Sequence, residues 1–354
     1  MNPFPTNADV VIIGTGPLAL IEGLHLSEAG RNVTFVDSSE VVGGSWRSVS
    51  CLGFENVEVG VHLIENRFRV NQWMRDQLGA QFLDQRKQSD FGLVKGKHLS
   101  ISATRILLHS LVTGKALLHG RLGAASRTFL STSRAVSQFY APFLYPNGGF
   151  SLLIQALVKQ LKRHNAKFVF GTNIQLLSPK SNNILLISDH GELEAEQVVM
   201  FSRAHAPIDS LPDLNDYIEI GQSHSMVLLL SSPAITFNGY VEILGDSLLK
   251  RVRNIGLFTR PIPRGGDSLI CVQTRQDNGE NQDKIIHKRL VDIGLLDSKT
   301  LLLDSFRDTF TLKTLTRAGV RIINNRLSPK IVVHESTDFS DCFDTHLKER
   351  LTRQ

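Results

Sequence analysis

The sequence is poor in cysteine, with only three such residues among its 354: Cys51, Cys271 and Cys342. Because they are widely spaced and odd in number, they exclude a disulfide framework and a cysteine-based zinc cluster. The missing close pair also excludes the dithiol centre of the disulfide reductases. Sparse, unpaired cysteines are typical of a reducing compartment, and we expect a cytoplasmic protein.

Long hydrophobic runs are missing as well. A membrane-spanning helix needs ~18 apolar residues. The most apolar segment, DVVIIGTGPLALIEG at residues 9–23, is interrupted by glycines, a proline and charges. The first residues also lack the basic start and the small-residue cleavage site of a secretory signal. We therefore expect neither a transmembrane segment nor export.

Acidic residues are almost missing from residues 85–135, where nine Lys or Arg stand against the single acid Asp90. Apolar residues interleave with these cations, and three interpretations remain open. The segment could be a solvated helical lid, a channel that attracts an anionic small molecule, or an amphipathic surface that contacts anionic lipid at the membrane periphery. A nucleic acid partner is excluded, because no recognised binding module or aromatic stacking pattern accompanies the charge.

The rest of the composition is that of a folded protein, with 42% hydrophobic and 21% charged residues. A chain of 354 residues exceeds the size of one ordinary hydrophobic core. The length therefore predicts two domains.

The amino-terminal segment carries a strand, a glycine turn, a helix and a second strand. Residues 9–13 form a short β-branched apolar run, as in a strand buried on both faces of a parallel sheet. Residues 17–29 have apolar residues at helical spacing and are followed by Gly30, a usual helix terminator. Residues 32–36 predict the second strand. This order predicts a βαβ unit with a right-handed crossover.

The turn GTGPLA in this unit has the small residues of a dinucleotide-binding fingerprint at Gly14, Gly16 and Ala19. Backbone N–H groups and the positive end of the helix dipole stabilise a diphosphate there without a basic side chain. Asp37, 23 residues after Gly14, is placed to accept hydrogen bonds from a ribose diol. The predicted nucleotide contacts are Gly14, Thr15, Gly16, Pro17, Ala19, Asp37 and Ser38.

Beyond this unit the pattern changes twice. Helical segments with basic residues dominate residues 67–137, and β-rich runs with Gly and Pro turns fill residues 226–272. We predict an α/β protein, in which a Rossmann-like nucleotide domain carries an inserted helical segment and a second, mostly β domain that covers the substrate. The predicted ranges are 1–66, 145–210 and 321–354 for the nucleotide domain, 67–144 for the basic helical insertion and 211–320 for the β-rich domain.

Three segments resemble the flavin amine oxidase superfamily, which includes protoporphyrinogen oxidase, phytoene desaturase and UDP-galactopyranose mutase. They are VVGGSW at residues 41–46, NVEVGVHLIENR at 56–67 and YPNGGFSLLIQALVKQLKRHNAKFVFGTNIQLLS at 145–178. The resemblance implies a Rossmann-like FAD-binding fold and FAD as the cofactor. It covers residues 8–62 and 145–202 and extends to the rest only in general layout.

The resemblance also implies further flavin contacts. The paired glycines and the residues after them, Gly43, Gly44, Ser45 and Trp46, would lie near the flavin. His62 would lie near the isoalloxazine ring, where an imidazole can hydrogen-bond the ring or move a proton, and a structural role for this histidine is the alternative. Ile174 would contact the adenine end through its backbone.

The sequence departs from the superfamily near its carboxy terminus. Many relatives carry a Gly-Asp pair before the last helix, whereas this chain has VVHESTDFSDCFDTHL at residues 332–347. Glu335 or Asp338 is the acid that could replace it, and Glu335 is our predicted contact.

Three functions remain open from the sequence. The first is an FAD-dependent oxidoreductase that oxidises or desaturates a small molecule, with an anionic substrate as one alternative, since a flavin supplies the hydride chemistry itself. The second is a flavin-dependent mutase or isomerase without net redox change. The third is a protein-binding module like the Rab escort proteins, which the intact turn and Asp37 disfavour.

Overall fold

The computed structural model describes residues 5–60, 62, 64, 68–85, 89–94, 97–100, 110–111, 113–115, 117–120, 143–231, 240–256, 267–277 and 279–335. Its strands, in chain order, are β1 (Asn7–Ile13), β2 (Val33–Val36), β3 (Ser48–Cys51), β4 (Phe54–Glu58), β5 (Phe82–Gln85), β6 (Ser89–Val94), β7 (Lys97–Ser100), β8 (Phe143–Pro146), β9 (Lys167–Val169), β10 (Ile174–Pro179), β11 (Ile184–Ser188), β12 (Gly191–Phe201), β13 (Ile218–Leu230), β14 (Tyr240–Leu244), β15 (Leu249–Asn254), β16 (Ser268–Thr274), β17 (Leu302–Leu315) and β18 (Ile331–His334).

The α-helices with defined bounds are α1 (Pro17–Glu28), α2 (Phe68–Leu78), α3 (Phe150–Arg163), α4 (Gln282–Asp292) and α5 (Arg317–Leu327). Short 3-10 turns lie at Gly44–Trp46 and Pro212–Tyr217. Within the described ranges, no helix is both long and apolar enough to span a membrane.

The first sheet has the topology expected of a Rossmann-like domain. Strands β18, β12, β1, β2 and β9 lie side by side and are parallel, and β10 and β11 extend the sheet beyond β12 as an antiparallel pair. Helix α1 connects β1 to its parallel neighbour β2, as in a βαβ unit. The predicted α/β fold class is confirmed.

Close packing of α1 on the first sheet places the glycine turn at the end of β1. Residues 10–12 of β1 have no exposed surface, as expected of a strand covered on both faces. A side chain at Gly23 of α1 would place its Cβ 2.2 Å from Cζ of Phe35 in β2. The bare backbone at Gly23 therefore lets the helix approach the sheet.

The second sheet follows the order β17-β13-β16-β15-β14-β6-β7, and all its pairs are antiparallel except β14 with β6. One face is apolar and packs under α4, where Ile286 and Leu290 join Met226, Val252 and Ile270 in one core cluster. Polar residues on the other face point to the same side as the nucleotide turn. This face forms the upper wall of the site described below.

The segment predicted as a basic helical insertion, residues 67–144, contains strands as well as helices. Helix α2 agrees with the prediction, whereas residues 82–100 contain the strands β5, β6 and β7. Strand β6 pairs with β14 and so extends the second sheet, while β5 pairs with β8. Strand pairing with distant segments overrides the local pattern here, as is common for strands. Residues 101–109, 121–142 and 336–354 lie outside the described ranges, and the domain boundaries stay predictions.

Candidate cofactor and substrate site

A cavity of about 940 Å³ lies between the glycine turn and the polar face of the second sheet. This volume is within the range of small-molecule and cofactor sites. Most of the predicted contacts line it: Gly14, Thr15, Gly16, Pro17, Ala19, Asp37, Ser38, Gly44, Ser45, Trp46, His62 and Ile174. The lining does not include Gly43 or Glu335.

The glycine turn presents backbone rather than side chains to the cavity. Gly14 has a φ of 91°, and a Cβ there would lie 2.8 Å from Cβ of Ala204, so this glycine is required by the fold. Gly16 differs, because its φ is −62° and a Cβ would meet no atom within 4 Å. Gly16 is also the N-cap of α1 and makes no side-chain cap. The N–H groups at the start of α1 therefore border open space.

Asp37 stabilises the same turn. Its carboxylate accepts hydrogen bonds from the backbone N of Thr15 at 2.7 Å, from Oγ1 of Thr15 at 2.5 Å and from the backbone N of Ser39 at 2.9 Å. The acid thus lies at the cavity edge where a ribose is expected, and it also holds the turn in shape. Contact with a ribose stays a prediction.

The paired glycines pack directly on the first turn. Both have positive φ, 112° for Gly43 and 54° for Gly44, and a Cβ on Gly44 would lie 2.9 Å from Cα of Gly16. The backbone N of Gly43 donates to the carbonyl of Thr15 at 3.1 Å. Gly43 therefore supports the glycine turn without lining the cavity. Trp46 is 7% exposed and packs on Phe150, so it belongs to the core as well as to the cavity.

His62 lies against the ring edge of Phe150, with ring centroids 6.0 Å apart. A Cβ on Gly60 would lie 2.1 Å from Nε2 of His62, which explains the glycine of the Gly-x-His segment. Burial and the charges of Arg251 and Arg253 together lower the pKa of His62 to about 3, against the opposing effect of a hydrogen bond with the backbone of Ser45. The imidazole is therefore neutral at physiological pH and can exchange hydrogen bonds with a bound ring.

A buried cluster of Glu58, Tyr145 and Arg253 contacts the backbone of His62. Glu58 accepts hydrogen bonds from the hydroxyl of Tyr145 and from the backbone N of Phe150 at the start of α3, the latter at 2.8 Å. Arg253 of β15 has no exposed surface, lies 3.5 Å over the ring of Tyr145 and donates to the carbonyl of His62. Burial raises the pKa of Glu58, and the charge of Arg253 opposes that shift. The cluster links β15 of the second sheet to β4, β8 and the start of α3.

Two predicted contacts have different surroundings. Glu335 pairs with Arg317 of α5 at 3.3 Å and is not part of the cavity lining. Asp338 lies outside the described residues. Ile174 lines the cavity at the start of β10, where its backbone is at the edge of the first sheet.

Sequence reasoning missed the upper wall, which consists of residues from β14, β15 and β16: Tyr240, Glu242, Lys250, Arg251, Gln273 and Thr274. Cross-strand pairs explain the arrangement, since Arg251 lies between Glu242 of β14 and Gln273 of β16. Paired residues of neighbouring strands point to the same face of a sheet. The sequence does contain charged residues within a β-rich run. Only the strand register shows that these side chains lie next to one another.

Cations outnumber acids around the cavity. The lining includes five Lys or Arg, namely Arg47, Arg203, Lys250, Arg251 and Lys313, and two acids, Asp37 and Glu242. Arg47 is neutralised by Asp308 of β17, since its Nη2 lies 2.8 Å from both carboxylate oxygens. Asp37 is engaged by the turn. The upper part of the cavity therefore has a positive potential. Among the described residues, no group of His, Cys, Asp and Glu has the arrangement of a metal site.

These features fit FAD. A diphosphate needs a bare backbone at a helix N-terminus, and the space that a Cβ would fill at Gly16 is open. The lining includes His62 and Ile174 as well as the turn, and the volume of about 940 Å³ leaves room for a dinucleotide.

Comparison with known proteins agrees with this geometry. A family model described as FAD dependent oxidoreductase matches residues 9–326. No curated protein matches the chain in sequence. Solved structures with a similar fold include putrescine oxidase bound to putrescine, with 11% identity over 94% of each chain and a TM-score of 0.65.

Two further structures are similar over almost the whole chain. A provisional protoporphyrinogen oxidase from Exiguobacterium sp. 255-15 has 13% identity over 100% of each chain and a TM-score of 0.66. A fatty acid isomerase from P. acnes that produces CLA has 12% identity over 98% of each chain and a TM-score of 0.66. These TM-scores show a shared fold, as the resemblance to the flavin amine oxidases implies. Since the family model covers most of the chain, the protein belongs to the FAD dependent oxidoreductase family.

Proposed function

We propose that the protein is an FAD-dependent oxidoreductase that oxidises or desaturates an anionic small molecule. The observation that carries this proposal is one cavity with two unlike walls. The glycine turn and the start of α1 form one wall, and polar and cationic side chains of the second sheet form the other. A cofactor bound along the first wall faces a substrate held by the second.

The flavin supplies hydride chemistry when bound. The chain's own residues bind and orient it. Backbone N–H groups after Gly16 would hold the diphosphate, Asp37 and Ser38 would contact the ribose, and Ile174 would contact the adenine end. Gly44, Ser45 and Trp46 would lie beside the ring, and the neutral imidazole of His62 would hydrogen-bond it. Glu335 has no role in this arrangement, because it pairs with Arg317 outside the lining.

The charge of the cavity favours an anion over an amine. Putrescine oxidase has this fold and is known bound to putrescine, a dication. In this chain Lys250, Arg251 and Arg203 line the cavity. A diamine would be repelled by these cations, whereas a carboxylate or phosphate would be attracted.

A second function, flavin-dependent isomerisation, is favoured by the similarity to the fatty acid isomerase over 98% of each chain. In that case the substrate would leave with the same oxidation state that it had on entry. The charge argument holds for this function too.

One experiment separates these functions. The purified protein is saturated with FAD, mixed without oxygen with small carboxylic acids and with diamines, and followed by flavin absorbance. Bleaching by carboxylic acids only supports the oxidoreductase, and activity that requires previously reduced flavin supports the isomerase. Bleaching by diamines alone would contradict the anionic substrate. A protein that takes up no FAD would favour the protein-binding alternative.

Peripheral contact with anionic lipid through residues 85–135 is a further proposal, as is a cytoplasmic location. In the described part of this segment, Leu111, Leu117 and Leu118 are exposed, by 62%, 53% and 88% of their surface. Exposed leucines beside lysines are typical of amphipathic surfaces. Binding of the protein to vesicles with and without anionic lipid tests this proposal. No binding to either kind of vesicle, or equal binding to both, would contradict it.

A further inference from the structure

Strand β15 contains an irregularity that changes the face of one lysine. Leu249 pairs with Thr274 and Arg251 pairs with Gln273, so two steps along β15 correspond to one step along β16. Lys250 is the extra residue of a β-bulge. Bulges of this kind redirect a side chain and are frequent next to functional sites.

Burial confirms the effect of the bulge. Leu249 and Val252 have no exposed surface and belong to the same core cluster under α4, although they are three residues apart. In a regular strand, residues three apart point to opposite faces. With the bulge between them, both point to the core, and Lys250 and Arg251 both line the cavity.

The neighbouring side chains hold the two cations, Lys250 and Arg251, but do not cancel their combined charge. Nε of Arg251 donates to Oε1 of Gln273, which fixes the guanidinium and leaves its terminal amino groups available to a ligand. Glu242 lies opposite Arg251, and it is the acid of the lining that faces Lys250. Arg203 adds a third cation from the end of β12.

The surroundings of the lysine amine are electropositive. Burial lowers the pKa of Lys250, and the charges of Arg251, Arg275 and Arg203 lower it further, while Glu242 opposes them. Arg275 donates to the backbone carbonyl of Asp246 at 2.9 Å and is engaged there. Like charges gathered in a cavity are stabilised by an anion.

We infer that Lys250 and Arg251 form a binding site for the carboxylate or phosphate group of the substrate, and that the β-bulge creates it. The guanidinium offers paired N–H donors to such a group, and the ammonium offers a point charge. This inference rests on the proposed function and adds the residues that select the substrate. The anionic group would be fixed to the second sheet, and the rest of the molecule would extend toward the wall that holds His62.

The test uses the full chain saturated with FAD and three probes of similar shape: benzoate, phenyl phosphate and the neutral benzamide. Binding is measured by calorimetry and by the change in flavin absorbance, so that turnover is not required. We expect benzoate or phenyl phosphate to bind and benzamide to bind at least about tenfold more weakly, the difference expected for a hydrogen-bonded charge. Lys250→Met and Arg251→Met should each lower the affinity for the anionic probe by about tenfold or more.

Lys288→Met is the matched control, because it removes the same charge from the exposed side of α4, beyond the other face of the sheet. It should leave anion affinity unchanged. Equal binding of benzamide and benzoate, or equal losses in the Lys250 and Lys288 variants, would overturn the inference while FAD binding remains intact. Loss of FAD itself in Lys250→Met would also overturn it, because the pair would then serve the cofactor. A wild-type chain that binds no FAD would contradict the proposed function instead.

Discussion

The glycine turn after β1 and the bulge of β15 face the same cavity and bind by opposite means. At the turn, side chains are absent and main-chain N–H groups border open space beside Gly16. At the bulge, the main chain on both sides of Lys250 is paired with β16, and two long cationic side chains line the cavity. A backbone site suits a group that every member of a family shares, such as the cofactor diphosphate. A side-chain site can change with the substrate without altering the fold.

The two regions also differ in what a substitution should disturb. Gly16 has room for a side chain, so a change there should affect the ligand and not the folded chain. The second sheet is tied to β4 and β8 through the cluster of Glu58, Tyr145 and Arg253, so a change in this cluster should affect stability first. The predictions below test this difference, beginning with the largest effect.

The first prediction concerns Gly16→Val. The branched side chain fills the space beside the α1 N-terminus, and we expect complete loss of FAD retention with an unchanged thermal unfolding temperature of the apoprotein. Flavin absorbance after gel filtration and calorimetry of the apoprotein measure the two effects. The matched variant is Gly14→Ala, whose Cβ would be 2.8 Å from Ala204 at a φ of 91°, and it should destabilise the fold itself. Full flavin content in Gly16→Val would refute the placement of the diphosphate.

The second prediction concerns Arg253→Met. Loss of the guanidinium leaves Glu58 buried without its cation and removes the donor to the carbonyl of His62. We expect the free energy of unfolding to fall by about 3 to 5 kcal/mol, as for other broken buried pairs. Urea denaturation of the apoprotein measures it. Adding Glu58→Gln should recover part of the loss, since the buried charge is then gone, and a loss below about 1 kcal/mol in the single variant would speak against the cluster.

The third prediction concerns Asp37→Ala. FAD affinity should weaken by about 1 to 3 kcal/mol, because a charged acceptor is lost at the ribose and the turn loses its bond to the backbone N of Thr15. Titration of the apoprotein with FAD, followed by flavin fluorescence, gives the value. Asp37→Asn keeps an acceptor and should lose less. Unchanged affinity in the alanine variant would remove Asp37 from the site.

The fourth prediction concerns the pH dependence of the stability of the apoprotein. The unfolded chain protonates His62 near its ordinary pKa of 6.5, whereas the folded chain does so only near 3. The contribution of His62 to stability is therefore complete above pH 6.5 and decreases as the pH falls from 6.5 toward 3. Urea denaturation at several pH values should show a flatter profile for His62→Gln, while the exposed control His164→Gln should keep the wild-type slope. Equal slopes in all three proteins would show that His62 is not buried as described.

The βαβ unit and its turn are predictable from the sequence because each of their features depends on nearby residues. The run at residues 10–13, the small residues of the turn and the acid at Asp37 all lie within one βαβ unit. Even there Gly23 was missed, although its helical spacing from Ala19 pointed to the face that packs on Phe35.

The second wall could not be predicted in the same way. The partners of Arg251 come from β14 and β16, and the bulge at Lys250 is visible only in the register between two strands. A shift of one residue reverses the face of a side chain, so strand composition alone does not say which residues meet. The local pattern does not predict the strands β5 and β6 for a related reason, since their partners β8 and β14 are remote in sequence.

The central claim is that the main chain at the start of α1 holds the diphosphate of FAD. The most direct measurement is the amount of FAD that the purified full-length chain retains or takes up, with the bound diphosphate then located by a crystal structure. We predict one FAD per chain, with its phosphates against the N–H groups that follow Gly16. A chain that remains colourless in excess FAD, or a crystal structure in which side chains fill this crevice, would contradict the claim.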